Sequence, residues 1–508
     1  MRRWLLALGS LAFAAPMARA ETIVTSAAAE AVSVTIYRDP DRGEGAINAR
    51  SPQGFALISE RRRLSLPGGD ATIRFEGVAA GMVAVSAVVS GLPGGVVQKN
   101  RDARLLSPAA LVDGTLGNRV HLRRTSRATG AVREEDAVIR STAANALVLE
   151  TATGVEGLRC SGLPETLRFD RVPPGLSAKP TLSVSTSSPQ AATVDVTLTY
   201  LANGFDWNAS YVAHLAPDGR TLRLFAWLTV ANGDDATFPR ARLLAVAGRL
   251  NRDSRGDPWA GPEASPALSL QCWRFEGYAA PEDSYDARGA PLPAPPPMAM
   301  MAPVEDIMVT ARRVAEQEDL GDLKLYRVPM AVDILSNAQK QVALLERPAI
   351  MFDTYYKGQL SVRGEEGEAR PLTRMIRFAN SSRNGAGVAL PAGKVAIFGA
   401  AGGESLLLAE DSLRDHAVGE KVEIVAGLNA QLRVSQQRGQ DALHRRLIIS
   451  NAAPEPAPVE IELEEEEAGL LLKPSSRLQR RDGRWLWKMI VPANASVQLD
   501  YALRDRPR

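Results

Sequence analysis

Four histidines, His121, His214, His416 and His444, are the side chains of this sequence best suited to metal binding or proton transfer. A helical zinc motif sets two imidazoles a single turn apart, and ribbons or fingers add Cys-x-x-Cys pairs. Neither pattern occurs. The four lie far apart on predicted strands or strand edges, where a histidine is ordinarily a surface or core residue. Residues 387–394 begin with Gly387 and end with Lys394, as a phosphate-binding loop would. Their spacing is off by one, and Val395 stands where a hydroxyl would hold magnesium, so no nucleotide site is expected. No Gly-x-Ser-x-Gly elbow presents a nucleophilic serine. The densest acidic run, Glu462 with Glu464, Glu465, Glu466 and Glu467, lacks the glycine and alternating ligands of a calcium loop and reads as a solvated strand end. There remain Asp206, Trp207 and Tyr211, just past a hairpin turn. An aromatic floor beside a carboxylate cradles a sugar, and the same residue types also close β cores. The reading is therefore no catalytic residue, no cofactor and no metal, with one candidate ligand surface.

Strands must carry these residues. Between residues 192 and 232, Val194, Val196, Leu198 and Tyr200 alternate with Asp195, Thr197 and Thr199, the period of a half-buried strand. Asn203-Gly204 and Asp218-Gly219 supply the positive φ of tight hairpins. The same grammar recurs after Asp482-Gly483, where Trp485, Leu486, Trp487 and Ile490 precede alternating Val497, Leu499, Tyr501 and Leu503. Residues 32–37, 55–64, 71–75 and 82–89 read as strands divided by turns such as Pro67-Gly68-Gly69. One short helix is expected, with Ser107 as cap, Pro108 at its first position and Gly114 as stop. A weak internal repeat places Asn232, Asn380 and Asn451 each just after an alternating strand, explained by an asparagine that tolerates left-handed geometry and bonds its own turn. The expected fold is mainly β: several antiparallel β-sandwich or barrel-like domains with very little helix. Residues 21–100 form an amino-terminal β domain, 101–185 a small barrel-like domain, and 186–508 a sandwich region.

That last region is interrupted at 276–321, where Pro291, Pro293, Pro295, Pro296 and Pro297 favour extended, unpaired chain, and a disordered insertion is expected. Within it, Asp306, Ile307, Met308, Val309, Thr310 and Ala311, followed by Arg312 and Arg313, resemble the energy-coupling box of outer-membrane receptors. That resemblance implies an extended peptide able to add a strand to a periplasmic partner.

Arg2 and Arg3, an apolar run over residues 4–17, and the small residues Ala18 and Ala20 ahead of Glu21 read as a secretory signal over residues 1–20. No later segment supplies the roughly 20 apolar residues of a membrane-spanning helix. A periplasmic or secreted protein is expected. Loss of Arg2, Arg3 and Arg19 with the signal takes the formal charge from +2 to about −1. Cations scattered among acids argue against nucleic acid, which needs a clustered positive field. The two cysteines, Cys160 and Cys272, are expected to pair in an oxidising compartment. The 508 residues suffice for two to four domains.

The run from Tyr200 through Asn203, Gly204, Phe205, Asp206, Trp207 and Asn208 to Tyr211 is similar to the core of an exported bacterial domain of unknown function. So are Trp227, Leu228, Thr229, Val230, Ala231 and Asn232, residues 321–329 and 340–345, and the closing hairpin over 487–501. That family includes the mucoidy inhibitor A proteins, and residues 32–38 resemble its companion amino-terminal domain. The resemblance implies a β-rich cell-envelope protein, linked in some relatives to extracellular polysaccharide, and supplies no catalytic residues. Relatives often carry a long coiled coil between the two domains, whereas residues 90–190 here show no sustained heptads. The expected function is a non-enzymatic exported envelope module that binds or scaffolds an envelope protein or glycan through edges, loops or its insertion. The alternative is a carbohydrate-binding or carbohydrate-active protein centred on Asp206, Trp207 and Tyr211.

Overall fold

Side chains of alternating polarity let a strand bury one face and wet the other, and this pattern organises the chain. The computed structural model describes residues 22–39, 42, 47–48, 51–102, 106, 108–126, 129–141, 147–157, 166–173, 176–248, 250, 314–364, 366–439, 441, 443–465 and 471–504. Of these, 66% lie in strands and 3% in helix, so the mainly β class is the one observed. The expected helix is Pro108–Gly114. The signal over 1–20, Cys160 and Cys272, and Asp306, Ile307, Met308, Val309, Thr310 and Ala311 lie outside the described residues.

The described chain divides into two units, one of residues 22–31 and 59–200, the other of residues 32–58, 201–250 and 314–504. In the first, a four-stranded sheet runs in the order Thr22–Ser26, Gly69–Glu76, Thr181–Ser188, Gln98–Asp102. A five-stranded antiparallel sheet runs in the order Gly154–Gly157, Val148–Thr151, Val132–Ser141, Arg119–Thr125, Thr166–Arg168. Val120, Leu122, Ala137, Ile139 and Leu149 fill its inner face together with Val112 of the helix, and Leu167 and Phe169 pack on them. Each Val, Leu or Ile side chain among them contributes about 1.5 to 3 kcal/mol when fully buried. Arg119, His121 and Arg123 of Arg119–Thr125 must then face the other way, a row of basic side chains.

The second unit holds three sets of strands. Phe238–Ala247 pairs with Leu323–Ile334 on one side and, in parallel, with residues 33–37 on the other. Glu316–Leu320 extends this set by pairing back on Leu323–Ile334. Those residues belong to the stretch expected to be a disordered insertion, and two local features order them. Gly321 turns the chain at φ 58°, and Arg327 and Lys324 pair across the hairpin with Glu318 and Asp319.

A five-stranded sheet follows in the order Ala338–Met351, Thr221–Asn232, Phe205–Leu215, Gly393–Ala401, Glu404–Leu413. A nine-stranded sheet includes Lys421–Arg438, Arg370–Ala379, Asp353–Ser361, Ala457–Glu464 and Arg484–Val491 as consecutive neighbours. Two pairings here are parallel, Phe205–Leu215 with Gly393–Ala401 and Asp353–Ser361 with Ala457–Glu464. The molecule thus combines mixed and antiparallel sheets, and alternation reveals a strand but not the direction of its neighbour. Gly393 sits where the backbones come closest. A Cβ there would stand 2.1 Å from the carbonyl oxygen of Ala209.

The asparagine repeat has one structural cause at all three sites. Asn232, Asn380 and Asn451 are buried at 1%, 0% and 2% exposure. Each turns its amide into the loop that follows its own strand. Asn232 Nδ2 donates to Ala236 O and Leu335 O, Asn380 Nδ2 to Val388 O and Ala417 O, and Asn451 Nδ2 to Glu455 O and Pro492 O. Each Oδ1 accepts from a downstream backbone, that of Asp234, Gly387 or Ala453. The side chain satisfies loop groups that would otherwise be buried unpaired. None of the three adopts positive φ, so the left-handed part of the expectation does not hold.

Candidate functional site

Asp206, Trp207 and Tyr211 sit on Phe205–Leu215 and are 2%, 0% and 2% exposed. Asp206 Oδ1 accepts from the backbone N–H groups of Asp39 at 3.1 Å and Trp207 at 2.8 Å, and Oδ2 pairs with the Arg42 guanidinium. Burial pushes this carboxyl above its ordinary value, against the pull of Arg42. The Trp207 indole donates to Val246 O at 3.0 Å, and the Tyr211 hydroxyl to Pro391 O at 2.6 Å. A sugar platform needs a ring face open to solvent. These three residues present none, and the expected ligand surface is instead the core of the second unit.

The remaining sequence candidates are likewise committed. His214 stacks on Phe398 with centroids 5.2 Å apart. His416 is buried and lies 3.3 Å from Glu420, with its imidazole pushed down chiefly by burial. Glu462 is no solvated strand end: it is 6% exposed and meets Lys357, Arg481 and Arg484. Beside it, Arg377 bridges Glu423 and Glu460, so a ladder of ion pairs crosses neighbouring strands of the nine-stranded sheet.

His121 is different. The register of the small sheet sets Asp136 and Arg168 directly opposite it on its two neighbouring strands, and Glu134 and Thr166 opposite Arg123. Because Leu122 and Leu167 point into the core, these residues share the outer face. His121 Nδ1 lies 2.7 Å from Asp136 Oδ1, and Nε2 lies 2.8 Å from Asp170 Oδ1. Arg119 adds contacts of 3.4 Å to Asp136 and 4.0 Å to Asp170. The imidazole pKa is raised, first by its hydrogen bond to Asp170 and then by that to Asp136, and the Asp170 carboxyl is lowered by the same bond.

Next to this cluster opens a cleft of about 530 Å³, lined by Leu111, His121, Arg123, Glu134, residues 166–169, Arg171 and Val172. Its apolar lining comes from Leu111, Leu167, Phe169 and Val172. Arg123 reaches Glu134 at 4.0 Å. Arg168 and Arg171, both exposed, form no ion pair among the described residues. The cleft thus combines apolar side chains at the edge of the small sheet with two exposed guanidinium groups, of which Arg168 also acts on the nearby Asp170 carboxylate.

No protein-family model matches this chain, and no curated protein aligns with it.

Sequence reasoning missed the cleft because its residues are scattered over residues 111–172 and no motif joins them. One signal was legible. Arg119, His121 and Arg123 alternate with Val120 and Leu122 and must therefore lie on one outward face.

Proposed function

We propose that this chain is a non-enzymatic, exported binding module of the cell envelope whose cleft beside His121 holds an acidic sugar. The exposed guanidinium groups of Arg168 and Arg171, in a cleft also lined by Leu111, Leu167, Phe169 and Val172, carry this reading. A carboxylated sugar ring has both features: an oxyanion for an arginine fork and a non-polar face for an aromatic or aliphatic side chain. The expected secretory signal over residues 1–20, which would bring the chain to where such polymers are found, and the resemblance to an envelope family support this reading. The Asp206 region supports no second site, since its polar atoms are engaged within the core.

Titration calorimetry of the full chain with a uronic-acid oligosaccharide, against a neutral oligosaccharide of equal length, tests the assignment. Binding of the acidic sugar alone, weakened at least tenfold by the double substitution Arg168→Ala/Arg171→Ala, is expected; two lost charged contacts of ~1.5 kcal/mol each account for that much. Equal binding by wild type and double variant would remove the cleft from consideration.

A further inference from the structure

Resting on that reading, we propose that His121, in its imidazolium form, is the positioning residue that pins the arginine-bearing wall of the cleft to the sheet, so that ligand uptake is coupled to the binding of one proton. The argument is one of valence. A neutral imidazole has one N–H and one lone pair, so it cannot donate to two carboxylates. Here both ring nitrogens lie within hydrogen-bond distance of a carboxylate oxygen, Asp136 at 2.7 Å and Asp170 at 2.8 Å. Only the imidazolium satisfies both. When it loses its proton, one of the two contacts sets a lone pair against a carboxylate and must open.

Anchoring decides which one opens. Asp136 lies within Val132–Ser141, a strand paired along seven consecutive positions with Arg119–Thr125, and Arg119 holds it at 3.4 Å. Asp170 lies beyond the end of Thr166–Arg168, a strand of only three paired residues; its other cations are Arg119, 4.0 Å away, and Arg168, which belongs to its own segment and cannot tie it to the sheet. The contact to Asp170 therefore yields. Asp170 lies between Arg168 and Arg171 in the chain, so its release frees the arginine-bearing side of a segment whose other side stays held by Phe169 on the core. Deprotonation thus loosens the wall that grips the anion and removes one positive charge from its rim.

Among the described residues, the other charges around the ring come from three elements. Its own strand contributes Arg119 and Arg123, the strand Val132–Ser141 contributes Glu134 and Asp136, and the wall contributes Arg168, Asp170 and Arg171. The raised pKa of the imidazole agrees in direction with its two carboxylate partners outweighing these cations.

The test uses the full-length protein labelled with ¹³C-histidine, together with calorimetry of the uronic-acid oligosaccharide between about pH 5 and pH 9, the range in which histidine titrates. In the wild type, affinity should fall about tenfold per pH unit above the pKa that NMR reads for His121, the slope of a single linked proton. Asp170→Asn should lower that pKa and move the break in the affinity profile with it. His121→Gln should bind weakly at every pH, without a break. Wild-type affinity independent of pH, or the same break in His121→Gln, would overturn the coupling. A His121 that titrates at or below the ordinary histidine value would overturn the clasp whatever the ligand. If no sugar binds but His121 titrates high and Asp170→Asn lowers it, the clasp stands and only the acidic-sugar reading falls.

Discussion

Replacing Glu60 by leucine should destabilise the first unit more than most substitutions can, and the reason lies in three buried side chains. Glu60 and Arg62 are each 1% exposed, and Tyr200 is 0%. Glu60 Oε2 accepts from Arg62 Nε at 2.8 Å and Nη2 at 2.6 Å, and Oε1 accepts from the Tyr200 hydroxyl at 2.7 Å. Arg62 also donates to Ser26 O at 2.8 Å and Glu76 O at 2.9 Å, and Ala79 N–H donates to the Tyr200 oxygen at 3.1 Å. The network is complete, so its cost of desolvation is offset only while every member is present. Glu60→Leu strands a guanidinium in the core, for which about 3 to 5 kcal/mol is the expected loss. Tyr200→Phe removes one donor to Glu60 and the acceptor of Ala79 N–H, for about 1 to 3 kcal/mol. The double variant Glu60→Leu/Arg62→Met removes both charges and leaves two carbonyls short of a donor and the Tyr200 hydroxyl short of an acceptor, so it should recover part of the loss and remain about 1 to 3 kcal/mol below wild type. Urea unfolding followed by circular dichroism measures all three from the shift in midpoint at constant slope. If Glu60→Leu cost less than about 1 kcal/mol, or if the double variant were as unstable as the single one, charge stranding would not be the cause.

Two further outcomes follow from the second unit. Asn380→Ala removes a side chain that satisfies two carbonyls and one N–H, and should lower stability by about 2 to 4 kcal/mol, read as the same midpoint shift; an unchanged midpoint would show that the loop after its strand holds itself. Glu423 answers to pH: burial alone would raise its carboxyl, but hydrogen bonds from Lys421, Arg377 and Tyr355 bring it down to about 2. An acid whose folded pKa is depressed adds stability above its unfolded value, near 4.5, and loses it as the pH falls toward about 2. Thermal unfolding should therefore weaken through that window in the wild type, and Glu423→Gln should flatten the profile there; identical profiles would dismiss this carboxylate as a source of acid sensitivity.

Parity made much of this legible. Along Phe55–Leu66, Glu60 and Arg62 share their face with Ile58, Leu64 and Leu66, so a strict count of two places both charges inward although the run of three arginines looks like surface. The same count puts Arg119, His121 and Arg123 together. It could not distinguish Asp206 as core from Asp206 as ligand surface, because Phe205, Asp206 and Trp207 are all buried and the alternation is lost at that point. Nor could it show that Glu462 is enclosed by cations from three neighbouring strands.

The amino-acid order alone determined the strand-rich class, the turn positions and the helix at Pro108–Gly114, because each depends on side chains a few residues apart: alternation, positive-φ glycines, a cap and a proline. It also marked the three strand-ending asparagines, whose partners include their own downstream loops. Tertiary structure alone decided the parallel pairing of Phe205–Leu215 with Gly393–Ala401, the burial of Asp206 under Arg42, and the meeting of His121 with Asp170. Those contacts join residues 49 to 184 positions apart, and no local rule of spacing constrains which segments come together once hydrophobic burial has chosen the register.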